Sequence, residues 1–169
     1  GGVILNSKAE FTDELNSVIE DLLKLYPSWT SDDLIIQEFE TGIPVSVSVI
    51  STESDACAIA VNEQLIGESW LTDMGFAYCG NITPFETPYQ DMMCETAKQL
   101  ILEFGLIGSN GVDFIITENG PVVLEINPRF QGSLDTVELA TGMNLFDAHV
   151  KSFSGILPEN KPSINQFVG

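Results

Sequence analysis

Positive charge is what this chain has least of: six lysines and arginines stand against 25 aspartates and glutamates in 169 residues, for a formal net charge of −19. Arg129 is the sole arginine and His149 the sole histidine. That balance repels phosphodiester backbones and anionic membrane surfaces, which argues against nucleic acid or a membrane as partner. Long apolar runs are missing as well. None approaches the roughly 18 residues a membrane span requires, and no basic segment precedes a hydrophobic stretch as in a secretory leader, so a cytoplasmic protein is expected. Cysteine is sparse. Cys57, Cys79 and Cys94 show neither CxxC nor Cys/His ligand spacing and stand among apolar neighbours, which reads as reduced, buried thiols. Gly108-Ser109-Asn110-Gly111 lacks the lysine of a P-loop, and no serine or cysteine nucleophile elbow occurs.

What remains is a chain long enough for one domain with a real core. Apolar residues Phe11, Leu15, Val18, Ile19, Leu22, Leu23 and Tyr26 recur at helical spacing over 10–25, with Thr12 and Asp13 as cap candidates and Pro27 as terminator. A strand is expected over Leu34 to Phe39, and the strict alternation of Val45 to Ile50 marks a second. Further strands are read at Cys57 to Val61, with a turn at Gln64 to Gly67, and within Leu71 to Asn81. A helix over Tyr89 to Phe104 would bury Met92, Met93, Thr96, Leu100, Ile101 and Phe104, with Gly105 as its stop. Short helices follow at Asp135 to Thr141 and from Asn144 to Phe153, and a closing strand at Ile164 to Val168. The mixture predicts an α+β fold, a mostly antiparallel sheet flanked by helices. His149, Trp29 and Trp70 read as structural or surface residues.

The most informative stretch is Val123-Leu124-Glu125-Ile126-Asn127-Pro128-Arg129. Period-two alternation puts Glu125, Asn127 and Arg129 on one side of a strand, and Leu124 and Ile126 on the other. Upstream, Gly111-Val112-Asp113-Phe114-Ile115-Ile116 is a second strand whose sole charge is Asp113. Glu118-Asn119-Gly120 joins the two as a turn. A three-residue loop with Gly120 left-handed would set Asp113 opposite Glu125 and send Phe114, Ile116, Leu124 and Ile126 to the core, whereas a slip of one would separate the acids. We therefore expect the three-residue loop.

Two carboxylates facing each other across a sheet repel. Arg129, more than about 10 Å from Glu125 along an extended strand, could not neutralise both. A hard cation held by Asp113, Glu125 and the Asn127 amide oxygen is the expected remedy, Mg²⁺ or Mn²⁺, with water and phosphate oxygens completing its shell. A protonated acid pair or a solvated hairpin is the bland alternative.

The run Gly-Val-Asp-Phe, the hairpin, and Leu124 to Ser133 (Leu-Glu-Ile-Asn-Pro-Arg-Phe-Gln-Gly-Ser) resemble the C-terminal part of the ATP-grasp superfamily. Within it the likeness is to predicted archaeal ATP-dependent carboligases related to biotin carboxylase, and it continues through Leu134 to Pro158. The resemblance implies that Asp113, Glu125 and Asn127 hold magnesium ions bridging ATP phosphates, and that Arg129 stabilises charge on an acyl-phosphate intermediate or on the substrate. It also implies that Gln37, Glu38, Phe39 and Glu40 form the adenine hinge, with residues 1–50 in a smaller nucleotide-clamping subdomain and 51–169 in the metal-binding core. The partners implied are ATP, a small carboxylate, and an amine or other nucleophile; a homodimer is the assembly allowed for. One departure is Pro44-Val45, where many members place a ribose-binding acid. A second is the lack of the family's phosphate-gripping lysines and glycine-rich loop. The chain is accordingly expected to be about the C-terminal half of a ligase, weak in Mg·ATP binding and inactive by itself. The rival reading is a non-catalytic acidic binding module that keeps the fold and at most a divalent cation.

Overall fold

The computed structural model describes residues 11–33, 35, 37–158, 164 and 166–169. They divide into two compact units, Gly1–Glu40 and Thr41–Gly169. Residue 50, the boundary anticipated between subdomains, falls inside the first strand of the second unit.

In the first unit, helix α1 (Phe11–Leu25) follows the apolar spacing, and Pro27 bars its continuation because the residue before a proline is driven out of helical conformation. Thr12 and Asp13 lie inside this helix, so neither is its cap. A 3-10 turn, Ser31–Asp33, comes next, and Asp33 accepts hydrogen bonds from the Thr30 amide (2.8 Å) and hydroxyl (3.0 Å). Of the strand expected over 34–39, Leu34 and Ile36 lie outside the described residues, and residue 35 and residues 37–40 are irregular. A strand needs a neighbour to take up its backbone hydrogen bonds, and the described residues of this unit contain none.

The second unit is built on one antiparallel sheet of five strands in the order β3-β2-β1-β4-β5. These are β1 (Ile43–Ser51), β2 (Ala56–Ile66), β3 (Tyr78–Ile82), β4 (Gly108–Thr117) and β5 (Gly120–Asn127). Three helices complete it: α2 (Gln90–Glu103), α3 (Leu134–Thr141) and α4 (Leu145–Ser152). The α+β architecture anticipated from sequence is the one observed. β2 is a single eleven-residue strand where a shorter strand and a turn were expected. β3 occupies only the last part of the expected 71–81 strand. The closing strand reduces, among the described residues, to one bridge between Thr83 and Val168.

Alternation gives the sheet two unlike faces. Val45, Val47, Val49, Val112 and Phe114 point to α2 and pack on Met93, Cys94, Ala97 and Ile101. That helix buries its 93/97/101 stripe, so Met92 and Phe104, expected inside, are exposed. On the opposite face, Ile50, Ile59 and Ala60 at one end of the sheet pack under Val137, Leu145 and Ala148 of α3 and α4. α4 is capped as read from sequence, with the Asn144 side-chain oxygen accepting from the Asp147 amide at 2.7 Å. The rest of that face is polar.

Candidate metal centre

Thr117 pairs with Gly120, so the β4–β5 loop is the two residues Glu118 and Asn119 and not the expected three. Asp113 nevertheless lies opposite Glu125. A bulge at Leu124, between the Phe114–Val123 and Asp113–Glu125 pairs, inserts within the strand the residue that a longer loop would have inserted at its end. The consequence falls on Leu124, which is 42% exposed where the unbulged register would have buried it. Ile116 and Ile126 do pack partly on the α2 core, and Phe114 is fully buried there.

Across the sheet, Asn62, Ser46, Asp113 and Glu125 form one row of facing residues, with Ser48, Gly111 and Asn127 in the next. Asp113 is mostly buried and accepts from the Gln64 amide at 3.2 Å and from the Asn127 amide at 3.1 Å. Burial pushes its carboxyl up to about 6 and the Glu125 carboxylate adds to this; the hydrogen bonds from Gln64 and Asn127 and the charge of Arg129 pull the other way. Glu125 itself is exposed. The sheet therefore holds an acid that keeps its proton to higher pH than an ordinary carboxylate, beside a solvated one.

β5 ends at Asn127 because Pro128 cannot extend the ladder. The chain turns, with the Arg129 amide donating to the Asn127 carbonyl at 2.9 Å. Arg129 is thus no in-line continuation of the strand, as alternation had it. Its guanidinium folds back, donating from Nη2 to Asn127 Oδ1 (3.0 Å) and from Nη1 to the Phe130 carbonyl (3.1 Å). Asp113, Glu125, Asn127 and Arg129 are brought together. Gln37, Glu38, Phe39 and Glu40 lie in the first unit, in irregular backbone.

Several residues of this face were not anticipated. A Cβ on Gly111 would overlap the Gln131 amide, so only glycine lets Gln131 cross the sheet there and accept from Ser48 Oγ at 3.2 Å. Asn62 donates to Ser46 Oγ (3.2 Å) and Ser48 Oγ (3.1 Å) and accepts from Thr83 Oγ1 (2.7 Å). Asn81 joins Thr83 to the Tyr78 hydroxyl, and the Tyr78 ring lies against Gly132. This floor of hydroxyls and amides is closed: among the described residues no buried side-chain nitrogen or oxygen lacks a partner. The Ser46/Ser48 alternation was the legible signal for it, whereas Gln64 was assigned to a turn.

The donor chemistry fits a hard divalent cation, for which carboxylate and amide oxygens are the usual ligands. Among the described residues no cluster of three or more His, Cys, Asp or Glu converges. The charged donors are therefore Asp113 and Glu125, with the Asn127 oxygen beside them.

A model of the ATP-grasp domain matches residues 4–133. The chain belongs to the ATP-grasp family. An uncharacterized protein of Methanocaldococcus jannaschii is 32% identical over 112 residues, 66% of this chain and 26% of that protein. The D-alanine–D-alanine ligase of Flavobacterium psychrophilum is 25% identical over 126 residues, 72% of this chain and 37% of the ligase. In structure, biotin carboxylase from Campylobacter jejuni, solved as a β,γ-ATP complex, superposes with a TM-score of 0.79 at 13% identity, covering 99% of this chain and 38% of the carboxylase, a likeness of fold. The chain thus spans well under half the length of each of these relatives. No helix among the described residues is long and apolar enough to cross a membrane.

Proposed function

We propose that this chain forms the metal- and phosphate-binding part of an ATP-dependent ligase that joins a carboxylate to an amine or another nucleophile. The observation that carries the reading is the pairing of Asp113 with Glu125 across the hairpin, with Asn127 and Arg129 directly after. Asp113, Glu125 and, with its amide turned round, Asn127 would hold Mg²⁺ or Mn²⁺. Bound there, the cation supplies neutralising charge to the phosphate oxygens of ATP, which is most of what phosphoryl transfer asks of a protein. A substrate carboxylate oxygen attacks the γ-phosphorus, the bond to the β-phosphate oxygen breaks, and ADP leaves an acyl phosphate. The nucleophile then displaces inorganic phosphate from the acyl carbon. Arg129, folded back with Nη1 on the Phe130 carbonyl, offers a guanidinium to the charge developing on these oxygens. Gln37 to Glu40 are proposed for the adenine edge. The ligase named among the relatives supports the reaction class, and the carboxylase complex supports the nucleotide.

A second reading also has an observation behind it. Both Asp113 oxygens already accept amide hydrogens, from Gln64 and Asn127, so the face can satisfy itself without a cation, as a non-catalytic acidic module would. One experiment separates the two. In the full-length enzyme, Asp113→Asn abolishes ATP-dependent phosphate release with a carboxylate substrate while the far-UV circular dichroism stays that of the parent; unchanged turnover leaves the acidic module.

A further inference from the structure

His149 is the sole imidazole of the chain, and the chemistry above makes no use of it. It lies on α4, yet its ring is bound to two other elements. Nδ1 accepts the backbone N–H of Ser109, on β4, at 2.9 Å, which requires Nδ1 to be bare and the proton to reside on Nε2. Gly108, at φ +100°, makes room for it: a Cβ there would overlap the imidazole. The edge of Phe153 closes one side, with ring centroids 5.2 Å apart. On the other, the imidazole lies 4.8 Å from the ring of Phe130, which stacks at 4.8 Å and 10° on Phe146. The carbonyl of Phe130 in turn accepts from Arg129 Nη1.

We propose that His149 is a positioning residue for Arg129, acting through Phe130. The ring of Phe130 is held against both Phe146 and His149 of α4, and His149 is oriented by the backbone of the strand that carries Asp113. This contact therefore ties the loop bearing the guanidinium to the strand bearing the carboxylate. Protonating Nδ1 would set an N–H against the Ser109 N–H and release the ring. The charged groups on the surrounding elements are Arg129 in the loop, Asp113 farther along β4, and Asp147 and Lys151 on α4, which pair with each other at 2.6 Å. None of these replaces the lost acceptor. The proposal rests on the reading of Arg129 as the charge-stabilising group, but its test does not.

With one histidine and one arginine, each gives a single assignable set of side-chain signals in ¹⁵N nuclear magnetic resonance. The imidazole should show the Nε2–H tautomer. As it titrates to the cation, the Ser109 amide and the Arg129 guanidinium signals should shift with the same midpoint, and the slowed Nη protons of Arg129 should be lost to averaging. In His149→Asn, whose Oδ1 stands about where Nδ1 does and does not titrate, both pH responses should vanish. In His149→Ala, the Nη signals should average at every pH while melting confirms a folded chain. An Nδ1–H tautomer, or Arg129 signals that ignore the histidine titration, overturns the proposal without recourse to any variant. Mg·ADP titration is read separately: if Arg129 follows His149 and Mg·ADP still fails to bind in the full-length protein, positioning stands and the ligase reading falls.

Discussion

Val45, Val47, Val49 and Phe114 line one face of the sheet; Ser46, Ser48 and Asp113, their neighbours in sequence, line the other. The first face is held by shape, through close packing of apolar side chains on α2. The second is held by hydrogen bonds among hydroxyls and amides, and it carries a buried carboxylate that burial and Glu125 push toward protonation. One face is relaxed, while the other holds a carboxylate whose surroundings disfavour its charged form. Stability and site chemistry are thus divided between odd and even positions of the same strands.

The largest effect should come from the relaxed face. Phe114→Ala removes a ring that is 1% exposed and leaves a cavity against Met93 and Ile101, at a loss of about 3–5 kcal/mol in urea denaturation. Its neighbour on the polar face should respond differently. Asn62→Ala strands Ser46, Ser48 and Thr83 without a shared partner, at about 1–3 kcal/mol, and the loss should be smaller if Thr83 is changed to Val at the same time.

Asp113 should go the other way. Its folded value of about 6 lies above the unfolded carboxylate range, so the folded chain binds the proton more tightly. The stabilisation tied to that proton is complete below about pH 4 and is lost as pH rises through 6. Asp113→Asn, which cannot ionise, should therefore be more stable than the parent near pH 7 by about 1–2 kcal/mol, with the difference shrinking toward pH 4. Millimolar Mg²⁺ should raise the melting temperature of the parent and leave the variant unmoved. A destabilised variant at pH 7 would remove the disfavoured charge from the comparison.

The division between faces was legible in advance wherever alternation was uninterrupted, as in Val45 to Ile50. The acid pair was legible as well: the pairing was chosen to keep Phe114, Ile116, Leu124 and Ile126 on the core side, and all but Leu124 are found there. The device that achieves the pairing was not. A bulge and a longer loop shift the register by the same one residue, and no local pattern in Pro121 to Glu125 chooses between them. Gln131 was beyond reach for a related reason: its contact with Gly111 depends on how the chain turns after Pro128, and the turn is decided by Arg129 folding back onto Asn127. Gln64 was missed because β2 continues through a bulge of its own pairing with β3.

Leu124 is where those two routes to one register part company, and it gives the smallest predicted effect. With a three-residue loop its side chain would face α2 beside Phe114 and Ile126, and truncating it would cost about 2–5 kcal/mol. With the bulge it stands 42% exposed on an edge strand, next to Val122 and Val123, which are also exposed. Leu124→Ser should then lower stability by less than about 1 kcal/mol in urea denaturation, since surface substitutions away from a packed core seldom do more. Deleting Leu124 should be tolerated too, because removal of the bulge residue leaves Glu125 directly after Val123 and still opposite Asp113, whereas with a three-residue loop and no bulge the same deletion would slide half the strand out of register. A neutral replacement and a tolerated deletion at one position would locate the extra residue in the bulge, while a damaging deletion would locate it in the loop.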